Sequence, residues 1–143
     1  MSADRFFLDT NIFVYAFDPS VPAKHRIAAD LIQDAIAKRN GAVSYQVIQE
    51  FYNVAIRRFA TPMSPAEAQL YFSNVFRPLF AVNFSPALMF EAFRIRERYR
   101  LSWYDSLVFA SAIESECRVL YSEDFQNGML VDDVRVKNPF RHA

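Results

Sequence analysis

Short apolar runs alternate with helix-periodic segments along the chain, and this rhythm restricts the fold more than any single motif does. Phe6, Phe7 and Leu8 form an apolar run over residues 5–8 that stops at Asp9, the pattern of a short buried strand. Residues 12–17 continue as the first turns of a helix, broken by Pro19 and Pro22. Over 25–38 the apolar residues fall at 27, 28, 31, 32, 35 and 36, a helical spacing closed by Asn40 and Gly41. Residues 42–44 predict a second strand. Val47, Ile48, Phe51, Val54, Ala55 and Phe59 then mark a helix over 45–59. Pro65 opens another helix with proline in its first turn. Residues 79–84 predict a third strand, and Ser85 and Pro86 begin a helix reaching about Arg98. Ser102 to Asp105 fit a cap before an apolar helix over 106–115, and residues 118–121 and 134–136 supply strands four and five. Strands separated by helices in this way predict a three-layer α/β/α, Rossmann-like fold. Its central, mostly parallel sheet should have about five strands, in one domain spanning 1–143. Ligands of such sheets bind beyond the carboxyl ends of the strands. Asp9 ends the first strand and Asp124 follows the fourth, so both are expected on one rim.

Composition narrows the class. A chain of 143 residues can enclose one continuous core, and 52% hydrophobic residues with 15 phenylalanines exclude disorder. The aromatic surplus leaves enough to cover a partner surface as well. The net charge is zero, so bulk electrostatics do not point to nucleic acid. Of the 16 basic residues only Lys24, Lys38 and Lys137 are lysines, leaving 13 arginines, whose planar forks suit phosphate or inter-chain ion pairs. Cys117 stands alone, so an intramolecular disulfide is excluded and a reducing compartment is expected. The start of the chain lacks the apolar stretch of a signal peptide, and no segment approaches the ~20 apolar residues of a membrane span. A soluble cytoplasmic protein is the expectation. Gly41 and Gly128 are the only glycines, which removes phosphate-cradling and dinucleotide-binding loops. His25 and His142 are too few for a histidine metal site.

Four carboxylates carry the chemistry. Asp9 follows three apolar residues, where an ionised side chain is costly to bury without a partner. Position alone favours a helix cap there, with Asn11 assisting the turn. Glu50 shares a helix face with Val47, Phe51 and Val54, at the margin of the apolar stripe. A stem packed on the core with its head in water fits that place equally. Asp105 lies in the first turn of a helix apolar all round, where capping and dipole effects alone would suit it. Asp124 could simply open a turn. Taken together, however, the four come from distant parts of the chain to one rim, and mutual repulsion disfavours ionising all of them. A divalent cation resolves that conflict, and oxygen-only ligation selects Mg²⁺ or Mn²⁺. Such a cation activates water and neutralises charge developing on a phosphodiester.

Phe7-Leu8-Asp9-Thr10-Asn11 with Val14 and Tyr15, Glu50 within a helix, Trp103-Tyr104-Asp105-Ser106-Leu107, and Tyr121-Ser122-Glu123-Asp124 resemble PIN-domain nucleases. The likeness is greatest to the VapC-like toxins of bacterial toxin–antitoxin modules, and it runs through the whole chain in order. The resemblance implies a compact α/β/α fold, metal-dependent cleavage of single-stranded RNA, homodimers and a cognate VapB-like antitoxin. It places Asp9, Glu50 and Asp105 at the invariant acidic positions and Asp124 at the fourth, more variable one, with Glu123 beside it as a rival. Thr10, Asn11 and Ser122 match positions that orient ligands or water.

Around that set, Arg98 and Arg100 belong to an arginine run that would guide phosphates, although a solvated helix face accounts for it as well. Trp103 and Tyr104 suit stacking on a base at the mouth of the site, or packing of the helix start. The aromatic stretch over 70–80 reads as core or as a dimer or antitoxin contact. A non-toxin RNA-processing relative and a non-catalytic RNA-binding module with the same fold are the alternatives. A phosphatase using Asp9 as nucleophile wants a second acid where this chain has Asn11.

Overall fold

The computed structural model describes residues 5–143; the polar start of the chain, residues 1–4, on which part of the leader argument rests, lies outside the described residues. Strands β1 (Phe6–Leu8), β2 (Gly41–Ser44), β3 (Phe80–Val82), β4 (Val119–Tyr121), β5 (Leu130–Val131) and β6 (Val134–Lys137) form one sheet in the order β3-β2-β1-β4-β6-β5. All neighbouring pairs are parallel except β5 with β6. Helices α1 (Thr10–Tyr15), α2 (Pro22–Lys38), α3 (Tyr45–Arg57), α4 (Pro65–Tyr71), α5 (Arg77–Leu79), α6 (Pro86–Tyr99) and α7 (Trp103–Glu114) flank it, with a π-helical turn at Phe72–Phe76 between α4 and α5. Among the described residues no helix is long and apolar enough to cross a membrane.

The expected five strands become six. The extra one, β5, is two residues long and joins β6 through a tight turn in which Asp132 adopts a left-handed φ of 50°. A strand that short carries no periodicity to read. Pro22 begins α2 at its first position instead of merely ending α1, which moves that helix start three residues upstream. The end of α2 also differs: Arg39, at φ 56°, takes the left-handed cap expected near Gly41. Gly41 is needed for space. A Cβ there would lie 2.5 Å from the Cβ of Ala35, so β2 passes close under α2 only without a side chain. The last helix starts at Trp103, capped by Ser102, whose Oγ accepts from the Asp105 amide.

An aromatic cluster anchors the helices that carry the site. The Phe51 ring lies 5.2 to 6.4 Å from those of Phe13, Phe17, Phe59, Tyr71 and Phe76. Such pairs contribute about 0.5–1.5 kcal/mol each beyond simple burial. Phe13 belongs to α1 and Phe51 to α3, so the cluster fixes these helices against one another and holds Glu50, next to Phe51, in place. Half of the aromatic stretch over 70–80 is therefore core: Phe76 is fully buried and Tyr71 packs on it, while Leu70, Phe72 and Phe80 remain exposed. Phe51→Ala is expected to cost about 3–5 kcal/mol of stability in a denaturant titration, because the cavity is walled by stiff rings that cannot collapse into it.

Candidate active site

The strand order reverses at β1: β2 and β3 lie on one side of it, β4, β6 and β5 on the other. In open α/β sheets a crevice forms at such a switch point, beyond the carboxyl ends of the two strands. The register makes this concrete. Leu8 pairs with Tyr121, so the next residues, Asp9 and Ser122, emerge side by side, and the Asp9 amide bonds the Tyr121 carbonyl at 3.1 Å. Ser122 Oγ donates to Asp9 Oδ2 at 2.7 Å. The other carboxylate oxygen, Oδ1, accepts from the Thr10 amide at 2.8 Å, so Asp9 also caps α1. The cap suggested by its position is real, and it uses only one of the two oxygens.

Glu50 and Asp124 are tied to the same nucleus through neighbouring polar residues. Thr10 Oγ1 donates to Glu50 Oε1 at 2.9 Å, and Gln46 Nε2 donates to Glu50 Oε2 at 3.2 Å. Asn11 Nδ2 reaches Asp124 Oδ2 at 3.1 Å and Ser122 Oγ at 3.3 Å. Ser122 Oγ in turn accepts from the Asp124 amide at 3.0 Å. Thr10, Asn11 and Ser122 thus stand between the acidic side chains they were expected to orient. Asp105 is in the first turn of α7, whose start shares a groove with the ends of β2 and β3 and the start of α3. That places it on the same rim, although no hydrogen bond joins its carboxylate to the other three among the described residues.

Glu123, the rival of Asp124, is engaged elsewhere. It accepts from the Tyr15 hydroxyl at 2.5 Å and pairs with Lys24 Nζ at 3.0 Å. The bond to Glu123 holds the Tyr15 phenol above its ordinary pKa, and the same carboxylate raises that of Lys24. Two adjacent acids therefore have separate tasks. Sequence reasoning gave Lys24 and Gln46 no role, and a single lysine at a helix start or a glutamine one turn before Glu50 carries no signal that would have singled them out.

Electrostatics mark Asp9. It is 5% exposed, and its carboxyl pKa is raised to about 6, first by burial and then by the charges of Asp124 and Glu50, against the lowering effect of its bonds from Ser122 and Thr10. Because the folded value lies above the unfolded one, protonation favours the folded state: that advantage is full below about pH 4 and is lost as pH rises through about 6. At neutral pH the ionised group costs on the order of 3 kcal/mol. No cationic side chain is bonded to it among the described residues, and Asn11, whose Nδ2 bonds Ser122 and Asp124, has its Oδ1 buried without a hydrogen-bond partner. An all-oxygen donor set with excess negative charge and an unused acceptor fits a hard divalent cation. As the side chains stand, no three His, Cys, Asp or Glu residues among those described are close enough to hold a metal ion. Thr10 and Asn11 each bond one carboxylate oxygen, of Glu50 and of Asp124 respectively.

The arginine run behaves differently. Arg94 is bonded to Glu91 and Asp132, and the positive charge of Arg98 acts on Asp132 as well. Asp132 lies in the turn between β5 and β6, at the amino ends of the parallel strands, opposite the carboxylate rim. Arg98 is thus directed away from the acids, and exposed Arg100 supplies a left-handed cap at φ 60° to α6. Trp103 lines the groove at the carboxylate rim, half-buried, with its ring 5.1 Å from that of Phe93.

The fold is shared with solved toxin–antitoxin proteins. FitAcB from Neisseria gonorrhoeae superposes with a TM-score of 0.66 at 16% identity, covering 95% of this chain and 99% of that one. VapBC2 from Rickettsia felis, bound to a DNA fragment from its promoter, gives 0.63 at 18%, over 93% and 97% of the two chains. VapC20 from Mycobacterium tuberculosis, described as a sarcin-ricin loop cleaving toxin, gives 0.60 at 20%, over 91% and 98%. No curated protein sequence matches the chain. The family model for the PIN domain matches residues 6–126, a span that contains Asp9, Glu50, Asp105, Asp124 and the three polar residues between them, and the chain belongs to the PIN-domain family.

Proposed function

We propose that this protein is a metal-dependent endoribonuclease that hydrolyses phosphodiester bonds of single-stranded RNA, acting as the toxin of a toxin–antitoxin pair in the cytoplasm. The observation that carries the reading is the Asp9 carboxylate at the switch point, raised in pKa first by its burial and then by Asp124 and Glu50, and bonded to no cationic group among the described residues. The structural likeness to a toxin–antitoxin complex from Klebsiella pneumoniae and to a sarcin-ricin loop cleaving toxin supports the biological role.

Asp9, Glu50, Asp105 and Asp124 would hold Mg²⁺ or Mn²⁺. When bound, the cation supplies a water of lowered pKa and neutralises charge developing on the phosphodiester. The chain's own groups do the rest. Ser122 and the Thr10 amide fix both oxygens of Asp9, which sets the direction in which its remaining lone pairs point. Thr10 does the same for Glu50 and Asn11 for Asp124. Lys24 and Tyr15 draw Glu123 aside, so the loop presents one acid to the site. A VapB-like antitoxin and a second copy of the chain are the partners in this reading, and exposed Leu70, Phe72 and Phe80 are apolar surface suited to such contacts.

Purified protein is expected to cut single-stranded RNA only with added Mg²⁺ or Mn²⁺. Asp9→Asn and Asp105→Asn should each abolish cleavage, and Thr10→Val should lower it about 10–100-fold by releasing Glu50. Cleavage without metal that survives Asp9→Asn would contradict the reading, as would RNA binding without turnover under every metal tried. The pH dependence follows from Asp9. Its carboxyl must be ionised to bind a cation, so the metal concentration for half-maximal activity should fall as pH rises from about 5 through about 6 and then level off. A flat dependence over that interval in a metal titration would argue against Asp9 as a ligand.

A further inference from the structure

We propose that the groove between the start of α3, the end of β3 and the start of α7 is a subsite for one unpaired nucleobase, adjoining the carboxylates; the inference rests on the nuclease reading above and names what in the RNA is recognised. The groove encloses about 320 Å³, within the range of sites for small organic groups. Among the described residues no charged side chain lines it. A phosphate would call for charge-assisted donors, so the natural occupant is neutral.

The lining has the two chemistries a base requires. Tyr45, Phe84, Trp103 and Tyr104 supply aromatic faces, and Tyr45, Phe84 and Tyr104 are 46%, 66% and 64% exposed. Stacking on such faces holds unpaired bases and tolerates any base identity. Gln46 and Asn83 supply amide donors and acceptors for base edges. The Oε1 of Gln46 is buried without a partner, and a base-edge donor would satisfy it after a small turn of the side chain. An apolar helix from a partner or a second copy of the chain would cover the aromatic faces but leave these amide groups without a use.

Continuity with the acidic site fixes the register of a strand. Gln46 both lines the groove and bonds Glu50 at 3.2 Å, so the groove opens beside that carboxylate. A base seated in the groove would therefore bring its own backbone to the carboxylates. Base preference at the cut would be read here.

Trp103, the single tryptophan, is a built-in reporter. The full chain is titrated in EDTA with the trinucleotides rA3, rC3, rG3 and rU3 and with an abasic ribose-phosphate trimer, following tryptophan emission. Saturable quenching is expected with the base-bearing trimers, with one preferred and the abasic trimer weakest. Tyr104→Ala and Phe84→Ala, both exposed, should each weaken the preferred trimer by about fivefold or more and leave the abasic trimer unchanged. Gln46→Ala should flatten the preference. Equal responses to abasic and base-bearing trimers, or none, would overturn the subsite. So would light scattering in which Tyr104→Ala dissociates a dimer that binds no trimer, since the groove would then be a self-interface. Quenching with base preference but no RNA cleavage under Mg²⁺ or Mn²⁺ would uphold the subsite and defeat the nuclease reading. Cleavage whose base preference is unmoved by Gln46→Ala would do the reverse.

Discussion

A carboxylate taken out of water without a positive partner is the constraint around which this molecule is arranged. Asp9 emerges from the central strand at the point where the sheet reverses direction, almost completely buried and close to two other acids. Folding alone would favour a neutral residue there, since the ionised group works against stability by on the order of 3 kcal/mol at neutral pH. Stability given up at one position, with neighbours that support the charge only in part, is what the proposed cation site would entail.

The surrounding structure serves to hold that position. The parallel pairing of β1 with β4 sets Asp9 beside Ser122, and the aromatic cluster around Phe51 fixes α3, so that Glu50 meets the Thr10 hydroxyl. On the far side the Lys24–Glu123 pair ties α2 to the loop after β4. Both partners are partly exposed, so the pair orients the loop more than it adds binding strength. Thr10, Asn11 and Ser122 link Asp9, Glu50 and Asp124 into one network, with Gln46 bonded to Glu50 at its edge.

Much of this was legible in the amino-acid pattern. The βαβ rhythm gave the parallel sheet, and the apolar run ending at Asp9 placed that acid on the rim where Asp124 also falls. Glu50 was visible as the polar residue interrupting an apolar face. Other features had no local signature. The two-residue β5 exists only through pairing with β6, and the left-handed cap at Arg39 arises because Gly41 is reserved for close passage under Ala35. The arginine run looked like a phosphate path, yet its partner Asp132 lies far along the chain and at the other end of the sheet. Which of Glu123 and Asp124 faces the site likewise depended on Lys24, about 100 residues upstream.

The most direct measurement is the thermal unfolding midpoint of wild-type protein and of Asp9→Asn, at neutral pH, in EDTA and across a Mn²⁺ titration. In EDTA the asparagine variant should melt at least as high as wild type, because it removes a buried charge while keeping an acceptor for the Thr10 amide. Added Mn²⁺ should raise the wild-type midpoint saturably and leave the variant where it was. A wild-type midpoint indifferent to Mn²⁺, or an equal rise in both proteins, would mean that the acidic rim is not a cation site.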